Sequence, residues 1–354
     1  MEGSDNKQTD SVKFSIEDIR KLTITHKSDI KPLEAIIKID GRTCCTKGGL
    51  SMITGKRGSG KSTLLRIAIT ASLMESIPNW YDTLLMEVIP ANGKPVFYIN
   101  TELPDATVKK LHDQILNDLG VKETPTNLHF IDALFLSIED RGRIISDIIQ
   151  NYPNTHLLFI DGGADTVGSV NDEVASIKAV EELLQLAAKY KTTIINVVHE
   201  NTGNGQSRGH YGQHCERKSE LVLSVSFDST NSIFEIKGKK IRHASPFKDI
   251  RFAYATDGSG RIQRVSADTT EKLKDNAKKN SLLSLTHTCF KSQKRYPRVE
   301  LTQLIADVTE TGIRNGQNKL NDMLAANYVT IDDKKHVVCL VEIPDSNPQM
   351  SIAV

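Results

Sequence analysis

The sequence predicts an α/β protein. A parallel sheet with helices on both faces carries an antiparallel edge extension, and a small C-terminal winged-helix domain follows. Three observations lead there. Between about Gly49 and Phe227, short runs that are apolar along their whole length alternate with amphipathic stretches of helical period. Strands apolar on both faces are covered on both faces, and helices between them imply parallel pairing through right-handed crossovers. Beyond Leu221, strand-length runs follow one another without helices, as antiparallel neighbours do. Residues 282–345 then read helix, helix, helix, hairpin, the order of a winged helix.

Each element can be placed in order. Residues 1–12 are polar and read as a disordered tail, with no apolar core of a signal peptide. Residues 14–40 form a lead-in ending in a short hairpin at Ile36-Ile37-Lys38-Ile39-Asp40-Gly41. Core strands are expected at Leu50–Thr54, Pro95–Asn100, Leu128–Ile131, His156–Asp161 and Thr193–Val198. Helices fall at Thr63–Leu73, Asp105–Leu119, Ile138–Ile149 and Val174–Lys189. The edge strands are Leu221–Phe227, Ser232–Lys237, Asp249–Tyr254 and, past the turn at Asp257-Gly258-Ser259-Gly260, Arg261–Val265. A charged linker over 267–281 leads to helices at Leu282–Phe290, Val299–Val308 and Ile313–Ala326 and strands at Tyr328–Ile331 and His336–Val341. The resulting division is a lead-in over 1–30, a main α/β domain over 31–266, the linker, the winged helix over 282–345 and a tail over 346–354.

Composition bounds the function. The 354 residues carry a formal net charge of +1, so the whole molecule is not a polycation. Nucleic acid would be met by a local patch or by several copies of the chain. The five cysteines form no pair with zinc-ligand spacing and read as reduced, buried thiols. No apolar stretch reaches membrane-spanning length, and a cytoplasmic protein is expected.

The chemistry is carried first by Gly55-Lys56-Arg57-Gly58-Ser59-Gly60-Lys61-Ser62-Thr63, which follows a strand and opens a helix. This is the G-x-x-x-x-G-K-[ST] pattern in its required context, built to hold the phosphates of ATP. Glycines at 55, 58 and 60 let backbone N–H groups line a phosphate-sized nest, to which the helix N-terminus adds positive potential. Arg57, Ser59 and Thr63 belong to the same cradle, Lys61 is expected on the β and γ phosphates, and Ser62 on Mg²⁺. His156-Leu157-Leu158-Phe159-Ile160-Asp161 is an apolar strand ending in a carboxylate, so Asp161 is the second candidate Mg²⁺ ligand. Gly162-Gly163 follows it, with no adjacent acid. The strand Pro95–Asn100 instead runs into Thr101-Glu102, which makes Glu102 the candidate general base. His199, at the end of Thr193–Val198, is placed as a γ-phosphate sensor.

Residues 200–214, ENTGNGQSRGHYGQH, read as a long polar loop carrying Arg208, His210 and Tyr211. It is expected to contact nucleic acid in a nucleotide-dependent way, beside the loop Gly162–Asn171. The cluster Gly238-Lys239-Lys240-Ile241-Arg242-His243 lies between edge strands. It is either a solvated turn or an arginine finger, with Lys240 and Arg242 pointing the same way, for the ATP of a neighbouring subunit.

The motif order GKRGSGKS, INTE, LLFID, NVVHEN, RGHYG and KKIRH resembles the RecA/DnaB superfamily of ring ATPases, and most closely the RepA-like replicative helicases of plasmids and mobile elements. The likeness spans about residues 30–265. It implies a RecA-like core, ATP and Mg²⁺ bound by Lys61, Ser62 and Asp161, catalysis by Glu102, sensing by His199, DNA contact through Arg208, and a finger at Arg242. It also implies a homo-oligomer, a hexamer first, with single-stranded DNA in the ring. Thr202 stands near the place where members carry a lysine. The winged helix lies outside the likeness; Arg314, Asn315, Gln317, Asn318 and Lys319 on its third helix either face DNA or form its solvated face. Two functions compete: a DNA-stimulated helicase or translocase, and an ATP-switched DNA-binding loader or regulator of a replication or recombination protein. A small-molecule kinase ranks third, since nothing resembles a lid or acceptor pocket.

Overall fold

The computed structural model describes residues 14–201, 207–255, 259–266, 278–279 and 281–341. The tail over 1–12, most of the linker, the Asp257-Gly258 turn and the segment beyond Pro344 lie outside these residues, as does Thr202. The chain divides into two compact units, Met1–Glu34 and Ala35–Val354.

In the first unit a single helix, α1 (Ile16–Leu22), is set by a capping box. The Ser15 hydroxyl accepts from Asp18 N, and Asp18 accepts from Ser15 N. None of its residues is buried, and Phe14, Ile16, Ile19 and Leu22 are exposed. The lead-in expectation did not include this helix, because about two turns show too little periodicity to read.

The second unit is built outward from β3 (Leu50–Gly55). It pairs in parallel with β8 (Thr193–His199) on one side and β9 (Leu221–Asp228) on the other. Beyond β8 lie β7 (Leu157–Asp161), β5 (Val96–Asn100) and β6 (Leu128–Asp132), all parallel. Beyond β9 the pairing turns antiparallel through β10 (Ile233–Ile241), β11 (Ile250–Tyr254) and β12 (Ile262–Arg264). The nine-stranded order is β12-β11-β10-β9-β3-β8-β7-β5-β6. The parallel core and its antiparallel extension therefore match the expected fold class. A separate three-stranded sheet, β2-β1-β4, joins the lead-in hairpin β1 (Ala35–Ile39) and β2 (Arg42–Thr46) to β4 (Met86–Val88), a strand too short to be read in advance.

The two faces of the sheet hold separate cores. On one, α2 (Lys61–Leu73) and α3 (Asp105–Leu119) pack Leu64, Ile67, Val108 and Ile115 against Tyr98, Phe159 and Val197. On the other, α4 (Ile138–Asn151), α5 (Glu173–Tyr190) and α6 (Gly209–Lys218) pack Ile145, Val180, Tyr211 and Cys215 against Leu50, Ile99 and Ile160. Ser137 and Asp172 cap α4 and α5 through their side chains. Burial pushes the Cys44 thiol up to about 11, so this cysteine is an inert core residue rather than a nucleophile. Among the described residues no group of His, Cys, Asp or Glu could hold a metal ion by itself. No described helix is long and apolar enough to cross a membrane.

Two sequence expectations are corrected. The polar loop over 200–214 does not extend that far: α6 begins at Gly209 and absorbs GHYG, with Arg208 at its N-cap. Propensity argued for a loop, but tertiary contacts override it. The Tyr211 hydroxyl, fully buried, accepts from Asn196 Nδ2 at 2.8 Å, and Tyr211 N donates to Val170 O at 3.3 Å. Gly212 lies so close to Ser207 that a Cβ would stand 2.8 Å from its side chain. The basic cluster Gly238–His243 is not a turn between strands either, since β10 runs through to Ile241 with an irregular register between Gly238 and Lys240.

The C-terminal residues form α7 (281–289), β13 (Arg295–Pro297), α8 (Arg298–Val308), α9 (Ile313–Ala325), β14 (Val329–Ile331) and β15 (His336–Cys339). The three strands pair in the order β13-β15-β14, over a core of Phe290, Tyr296, Leu301, Ile305, Leu320 and Met323. Strand β13 was not anticipated, for only Tyr296 of its three residues is buried.

One buried ion pair ties the layers behind the site. Arg66 on α2 donates from Nε and Nη2 to both oxygens of Asp118 on α3, each at 2.6 Å, and from Nη1 to Gly260 O at 3.3 Å. Asp118→Ala leaves the guanidinium buried and unpaired, and should cost about 3–5 kcal/mol. Chemical denaturation checks this; replacing both partners with apolar residues should recover most of the loss.

Candidate nucleotide site

Parallel pairing brings four strand ends to one edge. In the ladders Gly55 stands opposite His199, and Asn100 opposite Asp161. The ends of β3, β5, β7 and β8 therefore carry the phosphate loop, Glu102, Asp161 and His199 within one crevice, where ligands of open α/β sheets bind.

The loop after β3 has the backbone of an anion nest. Gly58 and Gly60 have φ of +71° and +97°, and Gly60 is the N-cap of α2. A Cβ at Gly55 would stand 2.3 Å from Val225 O, and one at Gly60 would stand 2.7 Å from the Phe234 ring. Only glycine fits either place. The helix begins at Lys61, two residues earlier than expected, so Lys61 and Ser62 lie in its first turn, where N–H groups are free for a phosphate. The hydroxyls of Thr54 and Ser59 are buried there with no hydrogen-bond partner among the described residues. These features fit a nucleotide's phosphates and the Mg²⁺ ion that accompanies them, with Ser62 and Asp161 as the hard oxygen donors such an ion takes. Bound there, the ion neutralises phosphate charge and favours phosphoryl transfer to water.

Lys61 is folded over the loop. Its Nζ donates to Gly55 O at 2.9 Å and Lys56 O at 2.8 Å, and reaches His199 Nδ1 at 3.2 Å. Burial lowers its pKa, although Asp161 and Glu102 act the other way. His199 Nε2 donates in turn to both oxygens of Glu102, at 2.8 and 2.7 Å. This chain of contacts calls for the Nε2–H tautomer. Arg57 Nη2 completes it, donating to Glu102 Oε1 at 3.3 Å. The His199 hydrogen bond, with help from Arg57, holds the Glu102 carboxyl below the usual range, so Glu102 is ionised, as a base must be. Arg57, expected among the phosphate contacts, thus pairs with the candidate base. Asp161 differs from Glu102: burial raises its pKa, while the Tyr98 hydroxyl donates to its Oδ2 at 2.8 Å.

The Gly162-Gly163 pair after Asp161 has a steric cause. A Cβ at Gly162 would meet Thr101 Oγ1 at 2.3 Å, and one at Gly163 would meet Asn196 Oδ1 at 1.8 Å. No side chain, acidic or otherwise, fits beside Asp161, and the acid facing this crevice comes from β5 instead. Glu200, unremarked in the sequence reading, also anchors the crevice. Its N donates to Gly55 O at 3.2 Å, and its carboxylate accepts from Ser224 Oγ and Lys239 Nζ. Thr63 Oγ1 lies 2.6 Å from the Tyr254 hydroxyl, which tethers α2 to β11. Sequence spacing carried no signal for either contact, because both partners come from distant strands.

A cleft of about 630 Å³ opens beyond Glu102. Arg57, Arg141, Arg208 and Asp165 line it, together with the loop Gly162–Asn171 and His199. The two loops expected to be neighbours do meet: a Cβ at Gly209 would touch Val170 O at 2.5 Å. His210 is exposed on α6.

Lys240 and Arg242 are brought to neither crevice nor cleft. Arg242 N donates to Glu220 O, and Glu220 N to Leu50 O, so Arg242 is level with the start of β3. Gly55 lies five residues further along that strand, about 16 Å at 3.3 Å per residue. Lys240 Nζ donates to the carbonyls of Glu216 and Arg217, and Arg242 Nη2 to that of Arg217, capping the C-terminal end of α6. They do point the same way, both donating to Arg217 O.

Fold and crevice together define a P-loop nucleotide triphosphatase. Residues 19–205, more than half of the chain, match the AAA_25 family, described as AAA domain. The chain belongs to this family, a nucleotide-hydrolysing ATPase class. No curated protein matches it. Among solved structures, a KaiC-like protein, PH0186 of Pyrococcus horikoshii, is similar at 15% identity, over 66% of this chain and 100% of that one, with a TM-score of 0.46.

Two substitutions separate binding from chemistry here. Glu102→Gln should keep nucleotide affinity and lower kcat by about 10²–10⁴-fold. Lys61→Ala should weaken nucleotide binding itself. Equilibrium binding of a fluorescent ATP analogue beside phosphate release distinguishes the two.

Proposed function

We propose that this chain is a ring-forming ATPase acting on DNA, a RepA-like helicase or translocase of a plasmid or mobile element. The observation that carries the reading is that Glu102 stands between two sites. On one side are the phosphate loop and Lys61; on the other is the cleft with Arg57, Arg141 and Arg208. A phosphodiester strand in that cleft competes for Arg57 and so alters the base. This links strand binding to hydrolysis, as DNA-stimulated turnover requires. The placement of Lys240 and Arg242 level with the start of β3 supports a finger offered to a neighbouring copy, and with it a closed ring, a hexamer first.

One observation favours the second reading, an ATP-switched loader or regulator. Helix α9 exposes Arg314, Asn315 and Asn318, while Gly316 packs on α8 closely enough that a Cβ would stand 2.6 Å from Thr302 O. This supports reading α9 as a recognition helix held by α8, and the C-terminal residues as a winged helix in which Arg314 and Lys319 meet DNA.

ATPase turnover with and without single-stranded DNA, alongside native mass, tests the first reading. An oligomer whose turnover rises on adding DNA supports it. A ring that unwinds no forked substrate fails as a motor, and sequence-preferring duplex binding then supports the second. Arg208→Ala should weaken single-strand binding and reduce the slope of log affinity against log salt by about 0.7, the share of one phosphate contact.

A further inference from the structure

Strand β5 carries Glu102 just past its end, and it also grips Asp161 at two points. Tyr98 is fully buried, with its ring stacked on Phe130 at 4.6 Å, and its hydroxyl donates to Asp161 Oδ2 at 2.8 Å. Thr101 holds the backbone of the same residue: its N and Oγ1 donate to Asp161 O at 3.1 and 3.0 Å, and Oγ1 also reaches Gly162 O at 2.8 Å. The register explains why the grip is possible. Tyr98 pairs with Phe159 and Asn100 with Asp161, so alternation turns the side chains of Tyr98 and Asp161 to the same face, the face that α2 covers. Among the described residues Oδ1 of Asp161 accepts no hydrogen bond, and the residue keeps 5% of its surface open.

We propose that Tyr98 is the positioning residue for the metal-facing carboxylate: its hydroxyl holds Oδ2 of Asp161 and leaves Oδ1 for the magnesium ion of the bound nucleotide. The terminal torsion of an aspartate is broad and nearly two-fold, so an unheld carboxylate samples several orientations. A phenol fixed by stacking and full burial removes that freedom, as outer partners do for other metal-facing groups. Because Thr101 fixes the backbone and Glu102 is the next residue, β5 sets the separation of metal ligand and candidate base in one step. The inference rests on the reading of Asp161 as a magnesium ligand.

The test is a magnesium titration of equilibrium binding of a fluorescent ATP analogue, with no turnover required. Tyr98→Phe removes one oxygen and keeps the ring. It should raise the magnesium concentration for half-maximal tightening about tenfold, the scale seen when an outer partner of a metal ligand is lost, while leaving metal-free nucleotide affinity unchanged. In an Asp161→Asn background the same substitution should add nothing. A wild-type magnesium response in Tyr98→Phe, with or without a lower Tm, makes the hydroxyl merely structural and overturns the proposal. So does a shift that persists in Asp161→Asn. If Asp161→Asn alone leaves the magnesium response intact, the reading of Asp161 fails instead, and the two failures are told apart.

Discussion

Gly55 stands opposite His199 in the ladder between β3 and β8, and the organisation of the crevice follows from that pairing. Parallel strands in register end together, so the same constraint that stacks Ile53 beside Val197 delivers the phosphate loop and the histidine to one place. The next ladders repeat it, with Asp161 opposite Val197 and Asn100 opposite Asp161. A one-residue slip in any of them would turn a chemical side chain into the opposite core. Full burial of both faces resists such a slip, since each strand is locked by two apolar clusters.

Within that frame the polar groups form one connected network. Lys61 reaches His199, His199 reaches Glu102, and Glu102 is met by Arg57. In a half-buried crevice such networks are stronger than their members in water, and each partner fixes the tautomer or charge of the next. A phosphate engaging Lys61 removes a donor from His199 and so perturbs the bond to Glu102. The crevice thus links the phosphate loop to Glu102 through the hydrogen bonds of His199. Gly162 and Gly163 make this arrangement obligatory, since no side chain fits next to Asp161.

The antiparallel extension serves two ends. Near the loop, Phe234 closes on Gly60 and Tyr254 meets Thr63, which steadies the start of α2. At the other end, Lys240 and Arg242 cap α6, whose first turn lies against the loop after Asp161. Helix α6 therefore joins the basic pair at the end of β10 to the loop that lines the arginine-bearing cleft, although the two lie at opposite edges of the sheet.

The sequence by itself determined the layered fold and the polarity of the site. Whole-length apolar strands such as Leu157–Asp161, alternating with helices, argue for a central parallel sheet, and G-x-x-x-x-G-K-[ST] between such a strand and a helix argues for a phosphate site. It also offered Glu102, just past the end of β5, as the candidate base, since Gly162-Gly163 places no acid next to Asp161. Only the tertiary structure decided the rest. A polar, glycine-bearing stretch became α6 because Asn196 and Val170 offered Tyr211 buried partners, which lie 15 and 41 residues away along the chain. Arg57 reaches Glu102 and Tyr98 faces Asp161, because contacts across strands and loops, invisible in local pattern, set which side chains meet. Short elements such as α1, β4 and β13 escaped for a related reason: their identity comes from capping or pairing, and a handful of residues carries no period.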